Sequence, residues 1–178
     1  DRVAEVGRTL GADLIVNVQG DEPLFDGRLL DDALAPFAKN PQLRFGTVRA
    51  AIEDEAEIFN PNCVKVVVDR DDYAIYFSRA PIPYPREALD WRDGRPHWRP
   101  GQPRPAFDKH LGLYIYRRDF LLEYTSWPPS PLELTERLEQ LRALERGVKI
   151  ACPATPYVTI SVDTPEDLEM VRLCLSRG

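Results

Sequence analysis

Only three cysteines, Cys63, Cys152 and Cys174, occur in the 178 residues. They are odd in number and far apart, which excludes a disulfide framework or a zinc site. A reducing, cytoplasmic setting is expected, with each thiol serving as a small core side chain. Long apolar runs are also missing. No stretch approaches the roughly 20 residues needed to cross a bilayer, so no membrane insertion is expected. Positive charge is in deficit, with 23 Lys and Arg against 29 Asp and Glu and a net charge of -6. That balance excludes a nucleic-acid backbone as the main partner. The chain lacks a Walker loop, a Gly-x-Gly-x-x-Gly turn, a nucleophile elbow and a His-Glu-x-x-His helix, and with them the chemistries those motifs carry.

What is present is an ordinary folding composition. Hydrophobic residues make up 43% and charged residues 29%, and residues 1–178 fit a single domain with its own core. Prolines number 17, about twice the usual share, and many fall between Pro81 and Pro105, where a long irregular excursion over 81–107 is expected. Apolar spacing predicts helices over 1–10, 29–37, 119–124 and 132–146, and from Pro165 onward. The 132–146 helix carries a capping box, Ser130 with Glu133, and Pro131 at its first position; Leu134, Leu138, Leu141 and Leu144 form its inner stripe. Strands are predicted over 14–18, 45–52, 64–69, 73–78, 110–116, 148–152 and 158–162, with 64–78 a hairpin turning at Asp71-Asp72. Leu14-Ile15-Val16 reads as a buried parallel strand. Strands alternating with helices favour an α/β sheet with an antiparallel portion.

The chemistry-bearing residues sit where strands end. Asn17-Val18-Gln19-Gly20-Asp21-Glu22-Pro23 leaves the first strand and at once offers an amide, a glycine and two carboxylates. Ligands of open α/β sheets bind beyond the carboxyl ends of strands, and an acid placed there can hold Mg²⁺ against a phosphate. The same stretch also reads as a capped turn opening the next helix. Asp163 repeats the geometry after 158–162 and likewise reads as a metal ligand or as part of the cap of the last helix. Arg79 stands where a strand meets the proline-rich segment; its fork suits a planar carboxylate or phosphate, or it pairs with a surface acid. His110 is one of two histidines, and Tyr114, four residues on, shares its face in an extended strand. Glu139 and Gln140 interrupt the leucine helix. Taken alone, these residues describe a Mg²⁺-assisted transferase acting on a polar, acidic substrate.

Read as phrases, the chain resembles the CMP-KDO synthetase family, the cytidylyltransferases for 3-deoxy-manno-octulosonate. The matching phrases are Ile15-Val16-Asn17-Val18-Gln19-Gly20-Asp21-Glu22-Pro23, Phe59-Asn60-Pro61-Asn62, Val64-Lys65-Val66-Val67 and Tyr76-Phe77-Ser78-Arg79-Ala80-Pro81-Ile82-Pro83. They continue with His110-Leu111-Gly112-Leu113-Tyr114, Pro129-Ser130-Pro131-Leu132-Glu133, Leu138-Glu139-Gln140-Leu141-Arg142 and Val162-Asp163-Thr164-Pro165-Glu166-Asp167-Leu168. They occur in family order and span nearly the whole chain.

The resemblance implies a Rossmann-like nucleotidyltransferase of the glycosyltransferase-A-like kind, with a mixed sheet flanked by helices and an antiparallel, dimer-forming hairpin portion. It implies attack of the sugar's anomeric hydroxyl on the α-phosphate of CTP, giving CMP-KDO and pyrophosphate for lipopolysaccharide biosynthesis. By carry-over, Asp21 and Asp163 are the Mg²⁺ ligands and Gln19 touches the sugar. Arg79 holds the sugar carboxylate, while His110, Tyr114, Glu139 and Gln140 bind sugar hydroxyls. A homodimer is implied as well.

Three departures stand out. Family members begin with a strand and a Gly/Arg/Lys-rich loop that grips CTP, and Asp1-Arg2 with Glu5 resembles the end of a Ser-Gly-Thr-Asp-Arg segment that follows it. The expectation is therefore of a chain lacking that nucleotide-binding portion and inactive alone. Residues 90–107 have no clear family counterpart, and 157–161 lack the glycines often found there. A nucleotidyltransferase for another acidic sugar and a catalytically silent sugar-binding or dimerisation fragment remain open as alternatives.

Overall fold

The computed structural model describes residues 2–20, 25–93, 95–157, 162 and 165–176. In chain order the elements are α1 (Arg2–Thr9), β1 (Leu14–Asn17), α2 (Arg28–Lys39), β2 (Phe45–Ala51), α3 (Glu55–Phe59), β3 (Lys65–Val68) and β4 (Ala74–Ser78). There follow β5 (Leu89–Arg92), β6 (Arg95–Trp98), β7 (Asp108–Arg117), α4 (Arg118–Tyr124), α5 (Pro131–Glu136), α6 (Leu141–Glu145), β8 (Ile150–Ala151) and α7 (Pro165–Ser176). A mixed sheet runs β4-β3-β7-β2-β8, with β1 also on β7, and β5-β6 form a separate hairpin.

The organising strand is β7. One of its edges is taken by β2 over nearly its full length, antiparallel, from Ala51↔Asp108 to Phe45↔Tyr116. The other edge is shared. β3 pairs with its beginning (Lys65↔Lys109, Val66↔Asp108) and β1 with its end (Asn17↔Tyr114 to Leu14↔Arg117). The His110 amide still donates to the Val64 carbonyl at 2.8 Å; beyond it, around residues 111–113, the ladder forks open.

Alternation along β7 places Leu111, Leu113 and Ile115 in one core with Leu29, Ala33 and Phe37 of α2. Tyr116 faces a second core with Phe45, Phe77, Phe120, Tyr124, Leu141 and Ile150. Helices thus cover both faces, as an α/β sheet requires. Phe45 stacks on Tyr116 at 4.6 Å between ring centroids. Gly46 is the contact that lets α2 close on the sheet: a Cβ there would sit 2.6 Å from Cε2 of Phe37.

Several sequence expectations are corrected. The first strand is antiparallel to its described partner. Only Ile15 of it is buried, and Val16 is exposed, because one face of this short strand lacks cover. The 132–146 helix is two helices. The capping box at Ser130 forms as expected, but Arg137 takes a left-handed conformation (φ 56°) that ends α5. Leu134 consequently faces solvent, 54% exposed. The 81–107 excursion is less irregular than its prolines suggest, since it holds the β5–β6 hairpin, on which Leu89 pairs with Trp98. A short helix, α3, is capped by Asp54, whose carboxylate accepts from the Ala56 amide. The sequence reading overlooked it. The expected strand 158–162 falls almost wholly outside the described residues.

Candidate active site

The fork in the sheet is where the predicted substrate residues gather. His110 and Tyr114 share one face of β7, with ring centroids 5.3 Å apart. The imidazole also meets the Phe77 ring edge-on at 5.0 Å. On its far side, Nε2 lies 2.8 Å from the hydroxyl of Thr47 on β2. Burial among these groups pushes the His110 pKa down to about 3. The ring is therefore neutral near neutral pH, since desolvation disfavours the imidazolium.

Across the sheet face from Tyr114 lies the break between α5 and α6. The Tyr114 hydroxyl donates to Oε1 of Gln140 at 3.1 Å. Gln140 is only 1% exposed, and its Nε2 has no hydrogen-bond partner among the described residues. A buried amide donor left unmet costs about 1–3 kcal/mol, so it marks a place where a polar ligand or a water belongs. Neighbouring Glu139 has an exposed side chain, while its carbonyl accepts the Tyr124 hydroxyl at 2.6 Å. Had the leucine helix continued unbroken, neither residue would hold this position.

Gln19 follows β1 two residues after Asn17, the cross-strand partner of Tyr114, and is half-buried. The chain therefore leads Gln19 toward the fork. Asp21 and Asp163, the two carboxylates expected to converge on a metal, lie outside the described residues. Among the described residues no group of three or more His, Cys, Asp or Glu is arranged to hold a metal ion.

Arg79 has a task that the sequence did not reveal. Its Nε donates to the Glu136 carbonyl at 2.7 Å and its Nη1 to the Pro61 carbonyl at 2.8 Å. Glu136 answers with its carboxylate, which accepts the Ser78 hydroxyl at 2.6 Å and the Arg79 amide at 3.0 Å. Arg79 thus ties the end of β4 to the end of α5 and to the 60–63 turn. Lys65 braces the same turn from below. Fully buried, it donates from Nζ to the carbonyls of Asn60 (2.8 Å) and Cys63 (2.5 Å), and burial lowers its pKa.

Behind the α5–α6 break, Arg142 grips Glu133 bidentately at 2.7 and 2.5 Å. The arginine's hydrogen bonds hold the Glu133 carboxyl below its ordinary pKa. Thr47 is the residue that sequence reading missed, because a threonine within a strand carries no signal of its own. Cys152 is fully buried, with its thiol pushed up to about 12, and it behaves as the small core residue expected.

This is a mixed α/β fold shared with solved nucleotidyltransferases. A putative glucose-1-phosphate thymidylyltransferase from Bacillus anthracis shares it at 15% identity and a TM-score of 0.52, over 96% of this chain and 58% of that one. The description "Cytidylyltransferase" belongs to the family model that matches residues 1–150. The 3-deoxy-manno-octulosonate cytidylyltransferase of Geobacter sulfurreducens is 50% identical over 172 residues, 96% of this chain and 67% of the relative. The protein of the same name from Trichlorobacter lovleyi is 46% identical over 178 residues, 100% of this chain and 69% of the relative. A CMP:2-keto-3-deoxy-manno-octonic acid synthetase solved in complex with CTP superposes at a TM-score of 0.86 with 39% identity, covering 99% of this chain and 67% of that one. The chain belongs to the 3-deoxy-manno-octulosonate cytidylyltransferase family, and it spans about two thirds of the length of these relatives.

Proposed function

We propose that this chain supplies the sugar-binding wall of a cytidylyltransferase that joins 3-deoxy-manno-octulosonate to the cytidylyl group of CTP and releases pyrophosphate. The observation that carries the reading is the unmet Nε2 of buried Gln140, beside the Tyr114 hydroxyl and the neutral ring of His110. A polyol offers the alternating donors and acceptors that such a cluster lacks. Glu139, exposed beside Gln140, and Gln19, at the end of β1, extend the polar lining. Arg79 secures the turn and the α5 end that frame this wall, and the donors left on its fork suit the sugar carboxylate.

In the reaction, the sugar hydroxyl oxygen bonds to the α-phosphorus as the bridging bond to pyrophosphate breaks, and the hydroxyl proton is released to solvent. Positioning and charge neutralisation dominate the barrier for such a transfer. A neutral His110 orients the sugar through a hydrogen bond and adds no charge to the nucleophile. Asp21 and Asp163 would hold Mg²⁺, whose chemistry here is to offset charge on the triphosphate; two carboxylates with substrate oxygens are a donor set that suits this ion. A homodimer belongs to the same reading, as the family resemblance implies. The reading also places the protein in the cytoplasm. No helix among the described residues is long and apolar enough to cross a membrane.

The test is binding and turnover together. Octulosonate should bind the chain with millimolar or better affinity in calorimetry, and Gln140→Leu should abolish that binding while preserving the fold. In the full-length enzyme, Asp21→Asn should eliminate pyrophosphate release without loss of secondary structure, and near-normal turnover at saturating Mg²⁺ would refute the metal assignment.

A further inference from the structure

The register of β2 on β7 shifts between Gly46 and Val48, and Thr47 occupies the irregularity. Its side chain is fully buried. The hydroxyl lies 2.7 Å from the Leu113 carbonyl, 3.3 Å from the Leu111 carbonyl and 2.8 Å from Nε2 of His110. Three groups therefore surround an oxygen with one proton to give and two lone pairs. Two of the three are carbonyls, which can only accept. Leu113 holds the short, favourable distance for an O–H···O bond. The imidazole is the one neighbour able to donate.

We propose that Thr47 is a positioning residue for the sugar site: its hydroxyl commits its proton to the Leu113 carbonyl, the His110 ring must then donate from Nε2, and Nδ1 is left as a bare acceptor for a substrate hydroxyl. The tautomer of a histidine is set by the hydrogen bond that one of its nitrogens makes, and here the backbone irregularity of the sheet dictates that bond. No hydrogen bond to Nδ1 occurs among the described residues. The flanking rings of Phe77 and Tyr114 hold the imidazole plane in place. The wall then alternates an acceptor, Nδ1 of His110, with a donor, Nε2 of Gln140. That alternation discriminates a hydroxyl, which both gives and takes a proton, from an ether or a carbonyl. The inference rests on the sugar-site reading above for its ligand but on the Thr47 geometry alone for its tautomer.

The experiment is ring ¹⁵N correlation spectroscopy on the 178-residue chain, with its two histidines assigned through His97→Gln. Near neutral pH, His110 should show one neutral tautomer with the proton on Nε2. Thr47→Val should redistribute that proton between the two nitrogens, and Thr47→Ser should restore the original pattern. A proton on Nδ1 in the unaltered chain, or loss of the tautomer in Thr47→Ser, overturns the proposal even if Thr47→Val fails to fold. An unchanged tautomer in a folded Thr47→Val does the same. Octulosonate titrated into the unaltered chain should move the Nδ1 resonance, and its affinity should fall about tenfold in Thr47→Val, the worth of one hydrogen bond. A saturating sugar that shifts other resonances but not Nδ1 overturns the acceptor role. A sugar that shifts none overturns the sugar-site reading, and the ring signature still decides for or against Thr47.

Discussion

The Tyr114 hydroxyl reaches from the central strand to Oε1 of Gln140 at 3.1 Å, so a β-strand and the break between two helices hold one another in place. Tyr114→Phe removes the donor and leaves the whole Gln140 amide buried without that partner. Leaving a buried polar group unmet costs about 1–3 kcal/mol. Urea unfolding should show a loss of that size, and octulosonate affinity should fall with it. Stability equal to the unaltered chain would mean that water replaces the tyrosine without loss.

Arg79→Lys should destabilise the chain by about 1–3 kcal/mol, because one ammonium cannot span the separated carbonyls of Glu136 and Pro61 that the planar guanidinium serves. Denaturant titration with an unchanged slope is the measurement. If Arg79 served only the sugar, stability would stay the same and only binding would drop.

Glu133 and Arg142 have side chains only 10% and 13% exposed. Breaking a buried pair by neutralising one partner costs about 3–5 kcal/mol; the residual exposure puts Glu133→Gln at the low end, about 3 kcal/mol. The pair also sets an acid limit. The Glu133 pKa is lowered in the folded state, so the stability it contributes is present above the unfolded value near 4.5 and is lost as pH falls through the lower folded value. Thermal melts between pH 5 and 3 should be steeper for the parent chain than for Glu133→Gln.

His110 acts in a different window. Its folded pKa of about 3 lies below the ordinary 6.5, so the unfolded chain takes up a proton that the folded chain refuses. Stability should therefore fall as pH drops from 6.5 toward 3, by at most about 1.4 kcal/mol per pH unit from this one group. His110→Gln should flatten the melting temperature between pH 6.5 and 5, where Glu133 contributes little. An unchanged slope would show that the ring is solvated.

Much of the architecture was legible because apolar periodicity and turn chemistry are local properties. The Ser130 capping box, the hairpin turning at Asp71-Asp72 and the shared face of His110 and Tyr114 all follow from spacing, and all are present. The break at Arg137 was not legible. A leucine repeat over 132–146 cannot reveal the left-handed Arg137 that ends α5, nor that Glu136 just before it bonds Ser78 and Arg79 on a distant strand. Leu14-Ile15-Val16 misled for the opposite reason, since three apolar residues in a row imply cover on both sides and β1 has it on one. Within the candidate site, the residue types could be read from phrases. The tautomer-setting Thr47 could not, because its meaning depends on a shift in pairing register that no local pattern encodes.

The fork on β7 also governs when the site can exist. Its edges draw on residues 14–17, 45–51 and 65–66, so a chain emerging in order from its amino terminus has three strands waiting for a partner made roughly forty to a hundred residues later. Such non-local pairing is slow, because loop closure must precede the contacts that reward it. His110 and Tyr114 therefore arrive with the strand that joins β1, β2 and β3 into one sheet, while Gln140 and the strand β8 are still to follow.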